Sequence, residues 1–494
     1  MLFDGEQREA GWFRDKIFDV CVIGSGPAGM SLALKLAERG WSVGLFEGGG
    51  FEPTRESSDI YKGRNVGTDY YPLEISRLRY FGGASNHWAG WCRNLESFDF
   101  EPHEDRPHSG WPIRKSDLDP YQSEAGAILD LGPPNPSFDL FGGDAGSLIR
   151  FEYRWSAPTR FGEKYRNDLS ASAKIEVFLN TTLVDMNLTG GYRQVESAVF
   201  RSYAKPEAFA VKARHFALCL GGLENPRFLL NANRQISVGI GNENDLVGRF
   251  FAEHMHFHVG RMFLSPELQR EFPEHLFFRS SPEFVQRNRT ENFAIRLDGL
   301  VHEPDSMVSS MFRNTICSST TLGRLAAAIQ GSETLCFDGT VMVVAGQVLD
   351  PQSRVRLGNE LDRFGSRRIE LDWRLSELDK RTLYVAAAEF GKQLALRNVG
   401  RLRIHDWVLD RAATFPKIGE DEVGGHHHMC TTRMSDDPRA GVVDRNCRVH
   451  SVDNLYVGGS SVFSTPGFAN PTYTIVQLAL RLADHLDSRL KAAT

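Results

Sequence analysis

Residues 18–47, FDVCVIGSGPAGMSLALKLAERGWSVGLFE, decide the fold of this chain. Residues 18–23 are a short apolar run, which predicts a buried strand, and residues 30–40 have the apolar spacing of a helix. Residues 41–46 form a second apolar run. Strand, helix and strand in this order predict a β-α-β unit, the building block of a doubly wound α/β domain.

Three glycines follow the first predicted strand in the pattern G-x-G-x-x-G. In such a unit the first glycine permits a tight turn, the second lets a pyrophosphate approach the backbone, and the third lets helix and strand pack closely. The helix N-terminus then presents its partial positive charge to the phosphates. A carboxylate at the end of the second strand can accept hydrogen bonds from ribose hydroxyls. We therefore predict a dinucleotide site that includes Gly24, Gly26, Pro27, Ala28, Gly29 and Glu47.

The composition is that of an ordinary globular protein. The 494 residues are 41% hydrophobic and 24% charged, which suits two or three domains. The net charge is −6, and lysine and arginine are spread along the chain, so we expect no nucleic-acid partner. No apolar run approaches the roughly 18 residues that a membrane span needs, and the first residues lack the pattern of a secretory signal. We therefore expect a cytoplasmic protein.

The seven cysteines stand far apart and include no Cys-x-x-Cys pair. An odd number at such spacing does not suggest a framework of disulfides. We therefore expect reduced thiols in a reducing compartment.

Two further segments predict strands that end in glycines. Residues 211–220 are followed by Gly221, and residues 455–457 are followed by two glycines and Ser460. Such a strand end brings backbone close to a ligand or packs on a helix, and the sequence leaves both readings open. Residues 82–91, GGASNHWAGW, combine glycines with hydrogen-bonding and aromatic groups. This composition is typical of a ligand loop, with an Ω-loop packed on its own aromatics as the alternative.

The pattern changes between residues 255 and 423. Strand-like stretches at 255–263 and 339–349 and a helix-like segment at 376–400 predict an antiparallel sheet with helices on one side. His254, His256 and His258 alternate and therefore share one face of a strand. Because no neighbouring carboxylate or cysteine completes a set of ligands, we interpret them as polar strand residues and predict no metal site.

The last seventy residues contain two unusual blocks. Residues 424–434 read GGHHHMCTTRM, and neighbouring side chains on an extended backbone point to opposite faces, so the three histidines cannot bind one ion together. Asn470 and Pro471 precede a helical apolar pattern over 472–486. This order suits Asn470 as the helix cap and Pro471 as the first helical residue. An ordinary cap and a helix end that faces a ligand both remain open.

Together these blocks resemble the glucose-methanol-choline (GMC) flavoprotein oxidoreductases. The resemblance spans both ends of the chain and several interior blocks, and it is closest to the branch of pyranose oxidases and bacterial sugar dehydrogenases, in which Asn-Pro-Thr replaces a second histidine. Between 255 and 400 the resemblance is loose. The matching blocks are residues 19–49, 79–91, 109–113, 218–230, 246–254, 350–357, 427–434, 441–444 and 454–484.

The resemblance implies a bound FAD that takes a hydride at N5 from a carbinol carbon. It assigns the catalytic histidine of the block H-x-x-G-T-x-R-M to His427 and the catalytic asparagine to Asn470, although Cys430 replaces the glycine of that block. An imidazole suits removal of the hydroxyl proton near neutral pH, and an amide can orient the oxygen. The resemblance places further contacts to the cofactor at Gly83, Asn86, His87, Trp88, Ala89, Gly221, Gly459, Ser460, Pro471 and Thr472.

His87 also matches the position at which pyranose oxidases attach FAD covalently. We expect non-covalent binding, with the link through His87 as the alternative. The register of the three histidines is a second open point, because a shift of one residue would exchange the role of His427 with that of His426 or His428.

We expect an α/β fold, with a Rossmann-like FAD-binding domain assembled from residues 1–95, 150–254 and 424–494. Residues 96–149 would connect and cover the flavin, and residues 255–423 would form an α+β substrate domain with an antiparallel sheet. The implied function is oxidation of a hydroxyl of a sugar, glycoside or cyclitol to the carbonyl. The alternatives are an aminosugar 6-hydroxyl oxidoreductase, which the acidic residues 420–422 favour, and a non-catalytic flavin-binding subunit. The electron acceptor (dioxygen, a quinone or a redox protein) and the oligomeric state stay open.

Overall fold

The computed structural model describes residues 1–7, 10–13, 16–133, 140–141, 146–157, 159–205, 207–265, 268, 275–299, 312–313, 315–317, 319–330, 335–420 and 424–493. Strands within these residues form sheets of eight, six, three and two strands. None of the helices in the described ranges carries an apolar stretch that is long enough to cross a membrane.

The strands are β1 (Leu2–Asp4), β2 (Ile17–Ile23), β3 (Val43–Phe46), β4 (Gly63–Asn65), β5 (Trp91–Cys92), β6 (Leu148–Phe151), β7 (Arg154–Trp155), β8 (Ile175–Leu179), β9 (Thr182–Leu188), β10 (Val195–Arg201), β11 (Phe209–Leu218), β12 (Met255–Leu264), β13 (His275–Ser280), β14 (Phe293–Gly299), β15 (Gly339–Ala345), β16 (Arg354–Leu361), β17 (Arg367–Asp372), β18 (Gly400–Ile404) and β19 (Leu455–Val457).

The α-helices are α1 (Pro27–Glu38), α2 (Arg55–Asp59), α3 (Ser97–Phe100), α4 (Gln122–Ile128), α5 (Phe161–Lys164), α6 (Arg166–Ala171), α7 (Glu224–Asn231), α8 (Pro282–Asn288), α9 (Thr320–Gln330), α10 (Glu377–Leu396), α11 (Asp406–Leu409) and α12 (Thr472–Ala492).

The eight-stranded sheet contains the predicted β-α-β unit. Its order is β1-β8-β3-β2-β11-β10-β9, and β19 pairs with β11. Every pairing is parallel within the group β1, β8, β3, β2, β11 and β19. Strand β10 is antiparallel to both of its neighbours, β11 and β9. The carboxyl ends of β2, β11 and β19 therefore meet at one edge, which is where open α/β sheets bind ligands. The glycines that follow each of these strands lie at that edge.

The six-stranded sheet is antiparallel throughout, as predicted for the region from 255 to 423. Its order is β18-β12-β15-β14-β13-β6. The long helix α10 buries an apolar stripe, with Leu383, Phe390 and Leu394, in the core on one face of this sheet. Ser376 stabilises the start of α10 by a capping box with Asp379. The other face carries a separate apolar cluster that faces the first sheet's strand ends.

Two pairings cross the domain boundaries that the sequence suggested. Strand β6 begins at Leu148 and joins the antiparallel sheet through β13, so the boundary expected at residue 150 falls inside a strand. Strand β4 pairs with β17, although β4 belongs to the first predicted segment and β17 to the predicted substrate segment. Strands of three or four residues carry too short a pattern to reveal their partners.

The expectation of reduced thiols is wrong for one pair of cysteines. Cys317 and Cys336 form a disulfide, with their Cα atoms 5.3 Å apart. They are 19 residues apart in sequence, and the fold around α9 brings them together. The other five cysteines are buried free thiols.

Candidate active site

One cavity of about 650 Å³ lies between the carboxyl edge of the eight-stranded sheet and the inner face of the six-stranded sheet. This volume is in the range of cofactor and ligand sites. Most of the residues predicted from the sequence line it: Gly24, Gly26, Pro27, Ala28, Glu47, Gly83, His87, Trp88, Ala89, Gly221, His427, Gly459, Ser460, Asn470, Pro471 and Thr472. Gly29 and Asn86 do not line the cavity.

The loop between β2 and α1 requires glycine at two positions. Gly24 has a φ of +105°, and a Cβ atom there would lie 2.4 Å from the carbonyl oxygen of Cys219. A Cβ atom on Gly29 would lie 1.8 Å from the carbonyl oxygen of Gly24. Gly29 therefore lets α1 pack on the loop, as predicted for the third glycine, while the loop itself borders the cavity. The start of α1 has no side-chain cap, so its backbone N–H groups suit a phosphate.

Glu47 connects the end of β3 to this loop. Its carboxylate is 6% exposed, and Oε2 accepts hydrogen bonds from the backbone N (3.1 Å) and Oγ (2.6 Å) of Ser25. Oε1 accepts from the backbone N of Gly49 at 2.9 Å. A buried carboxylate beside the glycine loop has the chemistry and the place that a ribose hydroxyl requires. These residues fit the nucleotide part of FAD.

A second buried polar cluster at this end of the cavity was not predicted from the sequence. Arg77 donates to Glu224 at 2.7 Å, and Arg227 donates to the other oxygen of Glu224 at 2.9 Å. Arg227 also pairs with Asp362. All four residues line the cavity. Glu224 and Arg227 are one turn apart on α7, whereas Arg77 and Asp362 come from distant parts of the chain, so no local pattern could have grouped all four.

The segment after Gly82 forms a short 3₁₀ turn, Gly83–Asn86, that is tied to the glycine loop. The backbone N of Gly82 donates to Oγ of Ser25 at 3.2 Å. Asn86 donates to the carbonyl oxygen of Phe81 at 2.9 Å, so it holds the turn in place. His87 lines the cavity, and burial together with Arg160 lowers its pKa.

His427 lies in a cluster that is organised by the buried carboxylate of Glu253. Oε1 of Glu253 accepts from the backbone N of His427 at 2.7 Å and from the backbone N of His254 at 3.0 Å. Tyr70 donates its hydroxyl hydrogen to Oε2 of Glu253. Glu253 is completely buried, and Glu253 and His254 directly precede β12. The carboxylate thus links β12 to the segment that carries His427.

The hydrogen bonds of His254 determine which nitrogen of His427 is free. Nε2 of His254 lies 3.2 Å from the carbonyl oxygen of Pro466, which can only accept, so this nitrogen carries a proton. Burial lowers the pKa of His254 to about 4, so its ring is neutral and its Nδ1 is an acceptor. Nδ1 of His427 lies 2.9 Å from that atom and must donate. Nε2 of His427 is therefore unprotonated and can accept a proton.

The ring of His256 lies beside the rings of His254 and His427. Ring nitrogens of His254, His256 and His427 all lie within 4.8 Å of one another. No neighbour in sequence completes a set of ligands with the histidines at the start of β12, but His427 supplies a third imidazole from a distant segment. Burial lowers the pKa of His427 well below its usual value, and His254 and His256 lower it further. The three rings are neutral at physiological pH.

The neighbouring histidines have different surroundings. Nε2 of His428 lies 2.9 Å from the hydroxyl of Tyr70, within the polar network of Glu253. His426 has a φ of +55°, and its ring packs edge-on against Tyr71 at 4.6 Å. Of the three adjacent histidines, His427 is the one that pairs with His254.

Asn470 lies one residue further from its helix than predicted. Helix α12 begins at Thr472, Pro471 is the N-cap residue, and no side chain caps the helix. The interpretation of Asn470 as the cap is therefore wrong. Its Nδ2 donates instead to the carbonyl oxygen of Trp91 at 3.0 Å. Asn470 lines the same cavity as His427.

Asp421 and Glu422, two of the three acids in the run that favoured an aminosugar, lie outside the described residues. Glu420 is exposed and accepts a hydrogen bond from the backbone N of Lys417. Glu420 does not line the cavity.

Comparisons with known proteins agree with this architecture. Residues 350–479 match the family model "GMC oxidoreductase" (its C-terminal domain), and residues 19–117 match "FAD dependent oxidoreductase". The chain is 24% identical to paromamine 6'-oxidase of Streptomyces fradiae (95% of this chain, 91% of the relative). It is also 24% identical to the fructose dehydrogenase large subunit of Gluconobacter japonicus (96% and 98%).

Among solved structures, pyridoxine 4-oxidase from Mesorbium loti superposes with a TM-score of 0.55 at 19% identity, covering 95% of this chain and 99% of that one. This likeness concerns the fold alone. The glycine loop and the matched segments define an FAD-dependent oxidoreductase. The chain is similar to the GMC oxidoreductases over its C-terminal segment, residues 350–479.

Proposed function

We propose that this enzyme oxidises a hydroxyl of a sugar, glycoside or cyclitol to the carbonyl, with His427 as the general base and Asn470 as the residue that orients the substrate oxygen. The observation that carries the proposal is the pairing of His427 with His254, which leaves Nε2 of His427 able to accept a proton. The sugar or polyol substrates named for the relatives support the substrate class.

The residues of the chain handle the proton of the reaction. Oxidation of an alcohol removes the hydroxyl proton while the carbinol hydrogen leaves as a hydride, and bound FAD supplies the acceptor for that hydride. Nε2 of His427 takes the proton. The imidazolium that forms keeps its Nδ1–H bond to His254, and the carboxylate of Glu253 lies against its backbone. A nearby buried carboxylate stabilises a transient positive charge.

We propose that FAD is held without a covalent bond. The domain that holds it is built mainly from residues 1–95, 150–254 and 424–494. Residues 255–423 form most of the wall that faces the substrate. The glycine loop, the buried Glu47 and the Arg77–Glu224–Arg227 cluster support non-covalent retention, because they supply many polar contacts around one cavity. Acid precipitation of the yellow protein would leave free flavin in the supernatant. Flavin that stays with the pellet would support a link through His87.

An aminosugar 6-hydroxyl is the second candidate substrate. The observation in its favour is the alignment of paromamine 6'-oxidase over 95% of this chain. Neutral glycosides and aminoglycosides tested side by side would separate the two candidates.

Anaerobic mixing of the purified yellow protein with neutral sugars, glycosides, cyclitols and aminoglycosides tests the proposed function. We expect at least one compound to bleach the flavin absorbance. Admission of air, or of a quinone, then identifies the electron acceptor by the return of the yellow colour. A flavin that no alcohol in the panel reduces would contradict the proposed substrate class.

A further inference from the structure

One face of the six-stranded sheet forms a wall of the cavity. The residues Phe277, Arg296 and Met342 are paired across β13, β14 and β15, and Ala294 and Val344 are paired in the next row. Because side chains alternate along a strand, these residues share a face, and all of them line the cavity. Four of the five are apolar, and Arg296 is the exception.

Arg296 is held in place at one side of its guanidinium group. Its Nε donates to Asp298 at 2.6 Å, and the guanidinium carbon lies 4.6 Å from the centre of the Trp91 ring. Asp298 also pairs with His275 at 2.7 Å. The two terminal amino groups of Arg296 donate to no residue in the part of the chain that the structure describes. These groups form a fixed pair of donors that can bind hydroxyls or a carboxylate.

Arg296 lies at the end of the cavity that contains the proposed catalytic residues. The ring that it contacts belongs to Trp91, whose carbonyl oxygen accepts the hydrogen bond from Asn470. His256, whose ring centre is 5.7 Å from that of His427, has its pKa lowered to about 3 by burial, with Arg296 as one of the contributing charges. A substrate held between His427 and Asn470 would therefore lie near this guanidinium group.

The carboxylates that line the cavity belong to elements outside the six-stranded sheet. Among the described residues that line the cavity, the acids are Glu47, Glu224 and Asp362. Glu47 binds the glycine loop, and Glu224 and Asp362 pair with arginines. None of these acids comes from the six-stranded sheet, whose only charged contribution to the lining in the described ranges is Arg296.

We propose that Arg296 selects the substrate by charge, so that the site accepts sugars that are neutral or carry a carboxylate and rejects sugars that carry an ammonium group. This inference rests on the proposed function, in which the cavity takes a sugar or polyol. An ammonium group near the terminal amino groups of Arg296 would meet a like charge in a partly desolvated site. The carboxylate of Asp298 is already paired with Arg296 and His275 and does not line the cavity. The charge of Arg296 thus favours the neutral sugar over the aminosugar as the substrate.

The test compares glucose, glucosamine, N-acetylglucosamine and glucuronate in anaerobic bleaching of the holoenzyme, at a pH at which the amine of glucosamine is protonated. N-acetylglucosamine is the matched control for glucosamine, because it has a substituent on the same carbon without the charge. We expect glucosamine to react at least about tenfold more slowly than glucose. Perturbation of the flavin absorbance spectrum gives the binding constants of the same four compounds.

The variant Arg296→Gln keeps a hydrogen-bonding side chain and removes the charge. We expect it to reduce the discrimination against glucosamine by about tenfold and to weaken the binding of glucuronate. Arg279→Gln is the control, because Arg279 lies on the neighbouring strand β13, pairs with Glu96 and does not line the cavity. We expect Arg279→Gln to leave the preference unchanged.

The outcomes separate this inference from the proposed function. If no alcohol of the wider panel bleaches the flavin, the proposed function fails; if only these four compounds fail to bleach it, their binding constants decide the role of Arg296. Binding or reaction of glucosamine as strong as that of glucose in the wild type would overturn the inference. An unchanged preference in Arg296→Gln, or no binding of any of the four compounds, would also overturn it.

Discussion

A single imidazole can remove a proton only if one ring nitrogen is unprotonated and points away from its structural partners. In His427 the partner is His254, whose own proton is fixed by the carbonyl oxygen of Pro466. The chain of donors runs from His427 to His254 to the backbone. His254 therefore acts as a positioning residue, because it sets the tautomer of His427 without contacting the substrate itself.

Replacement of His427 by alanine tests the base directly. We expect His427→Ala to retain FAD and to lose roughly 10²-fold or more in the rate of anaerobic flavin bleaching, because the hydroxyl proton then has no acceptor. The control is His450→Ala, since His450 bonds the carbonyl oxygen of Ser435 and does not line the cavity. A bleaching rate in His427→Ala equal to that of the control would remove His427 from the reaction.

The pH dependence follows from the direction of the pKa shift of His427. Burial lowers this pKa well below its usual value, so the ring is neutral, and active as a base, at every pH above the lowered pKa. We expect the bleaching rate to be constant from about pH 8 down through about pH 6.5, the ordinary pKa of histidine, and to fall only in more acidic solution. Rates measured in buffers of constant ionic strength provide the test. A decline centred at or above the ordinary histidine pKa would contradict this assignment.

At the scale of elements, the packing of α12 against α1 holds the C-terminal part of the cavity wall in place. Asp487 of α12 accepts hydrogen bonds from Arg39 and Trp41, both at 2.9 Å, and from Lys491 at 2.8 Å. Asp487 is 6% exposed, and its hydrogen bonds, with that of Lys491 first, lower its pKa to about 2. Asn470 lies two residues before the start of α12, so the docking of this helix also determines where Asn470 lies.

Substitution of Asp487 tests this junction. We expect Asp487→Ala to lower the free energy of unfolding by about 2 kcal/mol, because the partly buried donors of Arg39 and Trp41 lose this acceptor. Urea denaturation of the wild type and the variant measures the change. The control is Asp437→Ala, whose partner Arg439 is 81% exposed, and we expect a clearly smaller loss there, because solvent screens an exposed ion pair. Equal losses in the two variants would show that the junction contributes little.

The pKa of Asp487 also gives the junction a pH dependence. Because the pKa is lower in the folded state than in the unfolded state, the stabilisation is complete above the unfolded pKa of about 3.9 and is lost as the pH falls towards 2. Asp487→Ala should therefore differ most from the wild type near neutral pH.

At the scale of the whole molecule, the nucleotide end of the cavity is assembled from segments that are distant in sequence. The glycine loop after β2, Glu47 after β3 and the residues after β11 and β19 meet at one edge of the sheet. A ligand that contacts all of them binds the folded state and not the unfolded chain. FAD should therefore stabilise the entire fold.

Thermal unfolding of the protein with and without FAD tests this expectation. At a free FAD concentration a thousand times its Kd, we expect a stabilisation of about 4 kcal/mol over the apoprotein. Glu47→Gln should reduce the stabilisation and the FAD occupancy, whereas the exposed Glu420→Gln should not. Equal FAD occupancy in Glu47→Gln and the wild type would refute the role of Glu47 in binding the cofactor.

The sequence by itself determined the elements whose pattern is local. The order of strand, glycine loop, helix and strand from residue 18 to residue 47 is present as β2, α1 and β3, and the helical pattern near 376–400 is present as α10. Turn chemistry and apolar periodicity act over a few residues, so they can be read without knowledge of the rest of the chain. The blocks around His427 and Asn470 also identified, from sequence alone, two side chains that line the cavity.

Only the tertiary structure decided which of these residues meet. The bond between His427 and His254, the disulfide of Cys317 with Cys336, and the place of Arg296 on the cavity wall all join parts of the chain that are distant in sequence or depend on strand register. The cap predicted at Asn470 is wrong for a related reason, because the side-chain amide of Asn470 donates to the carbonyl oxygen of Trp91, 379 residues away. Such contacts depend on how the strands pair and how the sheets pack. A local sequence pattern does not specify which distant residue a side chain will contact.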